Sequence, residues 1–349
     1  MRHYLSGFLA LLLLSGCSWF VTPPSRVDNP VIEGVNYVGM AVSDLERSEK
    51  LYRDATEIQL IEAGKLNDNA LINEVAQRSG VTARTKLLRG VNAQVLLMQF
   101  DDPSEKAKAS NFVDANGPGL AHLAFQVIDT TQTYQKILAG GARHIGDKEM
   151  VTNPKTHVSY AYVRDPDNIM IEIEHVDIEK LNLPMPPKNA RRLRHVSLAT
   201  TDMERLIDFY SILLETENPR RSGQYFHNSG EPVDKISGLK DSEMEMAWFQ
   251  VRNLELEIIQ YHNPAPKVLD APRPIDATGF NMVMFDVTNL ETAKQMLLDA
   301  GGSVVTKTHL LNGGKTFFGR DPDGNLLGFQ TLAAKSPFSA KNFKNNGME

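Results

Sequence analysis

The apolar residues of this chain fall into short runs, and after each run their spacing changes. Residues 37–42 form a run typical of a strand, and apolar residues then recur about every 3.6 positions, as on one face of a helix. Asp44 lies where that helix would begin and is a residue type that caps helices. Further strand-like runs follow, the last at residues 94–100. The pattern predicts a unit of one strand, one helix and about three strands.

The same unit recurs along the chain. A second copy starts with the apolar run at residues 122–127, and Gly140–Gly141 is typical of the end of its helix. Two strand-like runs then flank Asp165–Asn168, whose residue types favour a tight turn. A third copy starts at residues 195–200, and the arrangement repeats once more after it. We therefore predict four units.

Two sets of residues recur at nearly the same interval. The series that starts at Tyr37 recurs 158 residues later, and the turn at residues 165–168 recurs 156 residues later. A fixed interval indicates duplication. It predicts a first domain at 34–176, a proline-bearing linker at 177–191, a second domain at 192–332 and a tail at 333–349. We expect disorder in this polar tail because it has no periodic pattern.

The N-terminus has the composition of a targeting segment. Arg2 precedes an apolar run at residues 8–14, and small residues lead to Cys17. The run is too short to span a bilayer as an ordinary helix. We expect residues 1–17 to be a secretory signal and residues 18–33 to be a tether.

Composition and charge narrow the classes of partner. The chain of 349 residues is 42% hydrophobic and 23% charged, as in ordinary globular proteins. A formal net charge of -6 provides no electrostatic attraction for nucleic acid, so we expect no such partner. Cys17 is the one cysteine, so no disulfide can form within the chain.

Histidine and glutamate occupy matching places in the two middle units. His122 opens the first run of the second unit and Glu172 lies on its last run, while the third unit has His195 and Glu257. The outer units have other residue types there, namely Tyr37 and Leu96 in the first and Met282 and Gly328 in the fourth. The two histidines and two carboxylates are enough for one metal site. Glu174 and Glu255 share a strand face with the other two glutamates, and we expect them to face solvent.

The four units, with an Asp-Pro-Asp turn before a last strand, resemble the vicinal oxygen chelate superfamily of glyoxalases, bleomycin resistance proteins and extradiol dioxygenases. The resemblance covers residues 34–332. It implies an α+β fold in which four βαβββ modules form two cupped half-barrels. In this family the first and last strands of each unit supply metal ligands. Carried over, the ligands would be His122, Glu172, His195 and Glu257, with Glu172 or Glu257 as the catalytic base.

Two pairings of the units remain open from the sequence. If units pair in chain order, each cup has one histidine and one glutamate. If the two middle units pair with each other, one cup has all four ligands and the other has none. The distribution of the ligands favours the second pairing.

The resemblance and the ligand set together imply an exported, metal-dependent enzyme of the glyoxalase or epimerase type. Such a lyase or isomerase moves a proton next to the carbonyl of a small substrate with vicinal oxygens. The mixed nitrogen and oxygen ligands suit a divalent ion, namely Ni, Co, Fe, Mn or Zn. One alternative is an extradiol-type iron dioxygenase, for which His157 or Tyr160 would be the protonating residue. Another is a non-catalytic, lipid-anchored binding protein that holds an apolar guest in its outer cup, lined by Tyr37, Leu96 and Met282.

Leu14–Cys17 also resembles the lipobox of bacterial lipoproteins. The resemblance implies a lipid on Cys17 and hence a membrane anchor. Ser18 is not the aspartate associated with retention at the inner membrane. We therefore expect a location in the cell envelope, at the outer membrane and facing the periplasm.

Overall fold

The computed structural model describes residues 29–110, 112–183, 186–266 and 268–348. The expected signal with Cys17, and the tether up to residue 28, lie outside the described residues. Within the described ranges, no helix has the length and apolar character needed to cross a membrane.

The first half of the chain contains two units of strands and helices. The first unit consists of β1 (Ile32–Ala41), α1 (Leu45–Thr56), β2 (Gln59–Asn67), α2 (Ala70–Ala76), β3 (Thr82–Arg89) and β4 (Gln94–Phe100). After the short helix α3 (Glu105–Lys108), the second consists of β5 (Gly119–Ile128), a 3₁₀ turn (Asp129–Thr131), α4 (Thr133–Ala139), β6 (Arg143–His144), β7 (Val151–Thr152), β8 (Val158–Arg164) and β9 (Met170–Val176).

The second half repeats this order. The third unit consists of β10 (Arg191–Thr200), α5 (Met203–Leu214), β11 (Arg220–Ser222), β12 (Asn228–Ser229), α6 (Glu231–Ser237), β13 (Glu243–Val251) and β14 (Leu254–Asn263). The fourth consists of β15 (Gly279–Val287), α7 (Leu290–Asp299), β16 (Ser303–Val304), β17 (His309–Leu311), β18 (Gly314–Arg320) and β19 (Leu326–Thr331), and a 3₁₀ turn (Ala340–Asn342) follows. As predicted, Asp44 caps α1: its carboxylate accepts a hydrogen bond from the Arg47 amide at 3.0 Å.

The strands form two curled sheets, which confirms the predicted α+β fold with two half-barrels. The outer sheet joins units one and four in the order β16-β18-β19-β15-β1-β4-β3-β2, with β17 beside β18. The middle sheet joins units two and three in the order β11-β13-β14-β10-β5-β9-β8-β6, with β12 beside β13 and β7 beside β8. The middle units therefore pair with each other, as the distribution of histidine and glutamate favoured. Each half of the duplication contributes one unit to each sheet.

The long helices and the convex faces of both sheets share one hydrophobic core. Leu123 and Phe125 from the middle sheet and Met40 and Leu97 from the outer sheet belong to it. Between the sheets, the Tyr52 hydroxyl of α1 donates to the Asp165 carboxylate at 2.7 Å, and Tyr210 of α5 makes the equivalent bond to Asp321. The two aspartates thus shape their turns and also tie one unit to the next.

The tail differs from the expected disorder, because residues 333–348 are described and partly buried. Phe338, Ala340 and Phe343 are at most 7% exposed. The Ala340 amide donates to Asn36 of the outer sheet at 2.8 Å, and Arg192 of the middle sheet donates to the carbonyl of Asn346 at 3.0 Å. The contacts of this irregular segment run through backbone groups and single side chains, which leave no periodic signal in a sequence.

Candidate active site in the middle half-barrel

Both candidate histidines lie at β-bulges where the two middle units meet. Two residues of β5, one of them His122, oppose Ser197 alone, and two residues of β10, one of them His195, oppose Ala124 alone. A bulge redirects a side chain out of the regular alternation of its strand. The two bulges therefore bring both imidazoles together, with their Nε2 atoms 3.1 Å apart.

The two candidate glutamates come from the strands on either side of this pair. Glu172 on β9 is level with Ala124, and Glu257 on β14 is level with Ser197. Their sequence neighbours Ile171 and Ile258 face the shared core. Because strand side chains alternate, the glutamates face the concave side.

The structure brings all four side chains together in one cup. Glu172 Oε2 lies 3.3 Å from His122 Nε2 and 3.0 Å from His195 Nε2. Glu257 Oε2 lies 3.3 and 3.4 Å from the same two nitrogens, without a hydrogen bond of good geometry. Every one of the four residues is at most 7% exposed.

The electrostatics of the cup reflect this burial and crowding. Burial alone would lower the pKa of His122, but the facing carboxylates of Glu172 and Glu257 outweigh it and raise that pKa to about 9. Burial likewise acts to raise the pKa of both carboxyls, yet the two imidazoles hold each pKa below its ordinary value. The carboxylates are therefore ionised at neutral pH.

The donor set fits a divalent metal ion. With metal–ligand distances of about 2.1 Å, neighbouring donors lie about 3.0 Å apart at right angles and about 3.4 Å apart at tetrahedral angles. The two histidine nitrogens are 3.1 Å apart, and an oxygen of each glutamate lies 3.0 to 3.4 Å from both. His122, Glu172 and His195 alone already form a group of mutually close ligand atoms. A cation would also neutralise two buried carboxylates, which are costly without one.

A second layer of buried charge lies beside the ligands. Glu174 and Glu255 were expected to face solvent, but they are 0% and 4% exposed. Arg194 bonds to Glu174 through Nη1, and its Nε lies 3.5 Å from Glu255 Oε2. Gln126 also donates to Glu174, at 2.5 Å. The expectation was wrong because both glutamates are buried in a layer of ion pairs. Arginine side chains, and not water, compensate their negative charges there.

A cavity of about 250 Å³ opens beside the four residues, and Glu172, His195 and Glu257 line it. Two aromatic residues that the sequence analysis did not single out also line it. Tyr162 lies directly across from Glu172 in the β8–β9 pair, and Trp248 lies directly across from Glu257 in the β13–β14 pair. Since short turns fix the register of both hairpins, counting back from each turn would have identified them.

The remaining candidates fall in different places. Tyr160 lines the cavity, whereas His157 lies in the turn before β8 with a φ of 56°.

His227, Glu245 and His262 form a second group with metal-ligand chemistry, at the edge of the middle sheet. Arg221 bonds to Glu245 there at 3.0 Å, and the two imidazole rings stack 3.9 Å apart.

The cup of the outer sheet is filled by the chain itself. Tyr37, Leu96 and Met282 are at most 3% exposed and belong to one apolar cluster with Phe338 of the tail. At Gly328, an added Cβ would lie 2.5 Å from Met284 Cε. The binding-protein alternative expected an apolar guest in this cup. The protein's own side chains occupy that space instead.

Comparisons with known proteins agree with this arrangement. A family model described as the glyoxalase/bleomycin resistance protein/dioxygenase superfamily matches residues 34–173 and 192–329. No curated protein sequence is similar enough to count as a match.

Solved structures share the fold at low sequence identity. Glyoxalase I from Zea mays is 17% identical with a TM-score of 0.55, and the match covers 85% of this chain and 92% of that one. A variant of the same enzyme is 18% identical with a TM-score of 0.57 over the same shares of the two chains. At this level of identity the likeness concerns the fold alone.

Proposed function

Because the chain belongs to the glyoxalase/bleomycin resistance protein/dioxygenase superfamily, we propose that it is a metal-dependent enzyme of the glyoxalase or epimerase type. The proposed reaction moves a proton next to the carbonyl of a small substrate that has two adjacent oxygens. The observation that supports it is one buried cup in which two units meet: the two histidine nitrogens are 3.1 Å apart, and an oxygen of each glutamate lies 3.0 to 3.4 Å from both of them.

Each residue of the cup has a role in this proposal. His122, His195, Glu172 and Glu257 would hold a divalent ion, which acts as a Lewis acid toward the substrate oxygens when bound. Glu172 and Glu257 line the cavity and are ionised at neutral pH, so either can accept a proton from substrate carbon. The wall around Trp248 places apolar side chains beside the reacting carbon.

Metal analysis of the full chain tests the proposed site. After loading with Ni²⁺ or Co²⁺ and gel filtration, we expect about one ion per wild-type chain. His122→Ala and His195→Ala should each lose it, because the donors come from both units. Met282→Leu is the matched control, since Met282 holds the place of His122 in the outer sheet and should leave the ion bound. Retention of the ion in either histidine variant would contradict the shared site.

The identity of the base is tested separately. Glu172→Gln and Glu257→Gln each remove one proton acceptor, and we measure exchange of carbon-bound hydrogen in a small hydroxyketone by NMR in D₂O. Loss of the base should slow exchange by about 100-fold or more. Metal content is measured in the same samples, so that a lost base is distinguished from a lost ligand. Exchange that is unchanged in both single variants and in the double variant Glu172→Gln/Glu257→Gln, while the ion stays bound, would exclude proton transfer by either glutamate.

We further propose that the protein is exported and anchored by a lipid on Cys17. The charged start, the apolar run at residues 8–14 and the Leu14–Cys17 sequence support this location. Cys17→Ser should abolish labelling with a fatty-acid analogue and release the protein from the membrane fraction. Labelling that persists in this variant would rule the anchor out, since Cys17 is the one cysteine.

A further inference from the structure

We infer that the substrate of the middle cup is small, largely apolar and uncharged away from its two oxygens, and that glutathione and coenzyme A conjugates are excluded. The inference rests on the proposed function, because it describes what occupies the cavity beside the four ligand residues.

The size and walls of the cavity support this substrate class. Its volume of about 250 Å³ lies below the roughly 300 to 1,000 Å³ that is typical for drug-sized ligands. Trp248, Met244 and Met246 from β13 form one wall, and Val233 and Ile236 from α6 face the same space. Arg220 lies over the Trp248 ring at 3.8 Å and fixes the indole. Such a wall favours a compact aromatic or branched apolar group.

The charges around the cavity argue against an anionic substrate. The described residues that line it include three glutamates and one arginine, and a divalent ion would offset the charges of Glu172 and Glu257 without leaving a free cation. That arginine, Arg194, already bonds to Glu174, which is fully buried. No lining arginine or lysine in the described part of the chain remains free to accept a remote carboxylate or phosphate. Moving such an anion out of water into this space would therefore go uncompensated.

Two polar side chains that line the cavity, Asn228 and Thr152, are also engaged. Asn228 accepts a hydrogen bond from Ser222 and donates to the carbonyl of Met244 at 3.3 Å. Thr152 bonds to Ser159 at 2.7 Å. Away from the histidine and glutamate end, Trp248 Nε1 is the one buried polar side-chain atom of the described lining residues that has no partner, so the two substrate oxygens would be recognised at that end.

The inference is tested by binding of three probes to the full chain loaded with Ni²⁺. The first probe is 2-hydroxyacetophenone, a neutral aromatic hydroxyketone, and the second carries an added carboxylate at the para position. The third is S-lactoylglutathione. A Trp19→Phe background leaves Trp248 as the sole tryptophan, so its fluorescence reports on occupation of the cavity. We expect the neutral probe to bind at least about tenfold more tightly than either anion, because the anions pay for desolvation.

A charge variant makes the test sharper. Val233→Lys places a free cation on the cavity wall and should improve binding of the para-carboxylate probe about tenfold relative to the neutral probe. Ile212→Lys is the matched control, since Ile212 is 50% exposed on α5 and is not among the lining residues. It should leave the ratio of the two affinities unchanged.

The outcomes separate this inference from the proposed function. Bound Ni²⁺ together with binding of S-lactoylglutathione as tight as that of the neutral probe would overturn the substrate class and leave the metal site standing. A preference for the neutral probe in a protein that binds no metal would support the substrate class and contradict the proposed function. Failure of all three probes to bind the Ni²⁺-loaded protein would overturn the substrate class.

Discussion

Among single residues, the ion pairs beside the ligands explain how four glutamates can lie close together on the concave faces of two strands, β9 and β14. Burial raises the pKa of Glu174, and Arg194 only partly offsets it. Burial would also raise the pKa of Glu255, but Arg220 and Arg194 outweigh it and lower that pKa. The arginines therefore keep the layer beside the cup charged and fixed, which positions the ligand-bearing strands β9 and β14.

Removing Arg194 should be costly because it leaves a buried charge without its partner. We expect Arg194→Met to lower the free energy of unfolding by about 3–5 kcal/mol, measured by urea denaturation. The double variant Arg194→Met/Glu174→Met should recover most of the loss. Arg205→Met is the control, since Arg205 pairs with Asp323 and is 45% exposed, and it should cost less than about 1 kcal/mol. Equal losses in the two single variants would contradict this account.

The two turn aspartates should make stability depend on pH. Burial raises the pKa of Asp165 and of Asp321 to about 6, above the ordinary value of 3.8. Between these values the folded state binds more protons than the unfolded state, so their contribution to stability is present below pH 4 and is lost as pH rises through 6.

The variant Asp165→Asn/Asp321→Asn removes this contribution. We therefore expect the free energy of unfolding of the wild type, minus that of the variant, to fall between about pH 4 and pH 6. Chemical denaturation at several pH values measures it. Asp270→Asn, at an exposed loop position, is the control and should show a flat difference. A difference that rises with pH would have the wrong sign for raised pKa values.

At the scale of elements, the two cups differ because of what packs into them. In the outer sheet, α2 contributes Leu71 and Ile72 to the apolar cluster, and the tail adds Phe338 against Tyr37 with ring centroids 6.0 Å apart. In the middle sheet, α6 borders a cavity instead. The same unit therefore gives a packed scaffold in one sheet and an open cup in the other.

The tail can be tested as part of this scaffold. Phe338 is 7% exposed, so Phe338→Ala should leave a cavity and lower the free energy of unfolding by about 3–5 kcal/mol. Phe226→Ala is the matched control, because Phe226 is 81% exposed and its loss should cost no more than about 0.5 kcal/mol. Urea denaturation of both variants gives the comparison. If Phe338→Ala costs no more than Phe226→Ala, the tail does not stabilise the fold.

For the protein as a whole, the repeat and the pairing of its units were predictable, while the long-range contacts were not. Spacing and turn residues indicated four units, and the distribution of His122 and His195 favoured the observed pairing of the middle units. Glu174 is buried against Arg194 of the next unit, and Phe338 packs against Tyr37 at the other end of the fold's sequence. A local pattern carries no information about such partners, so only the structure could identify them.

Since the cup lies where the two halves of the chain meet, metal removal should weaken the whole fold. An ion that binds the folded state alone, at 1,000 times its dissociation constant, adds about 4 kcal/mol. For a chain of this size that corresponds to an increase in Tm of about 6 °C. We therefore expect a chelator to lower the Tm of the wild type and of Met282→Leu, measured by calorimetry. His122→Ala should show no chelator effect, because its cup has lost a donor from the second unit. A wild-type Tm that is unchanged by the chelator, after metal loading has been verified, would mean that the ion does not bind across the seam between β5 and β10.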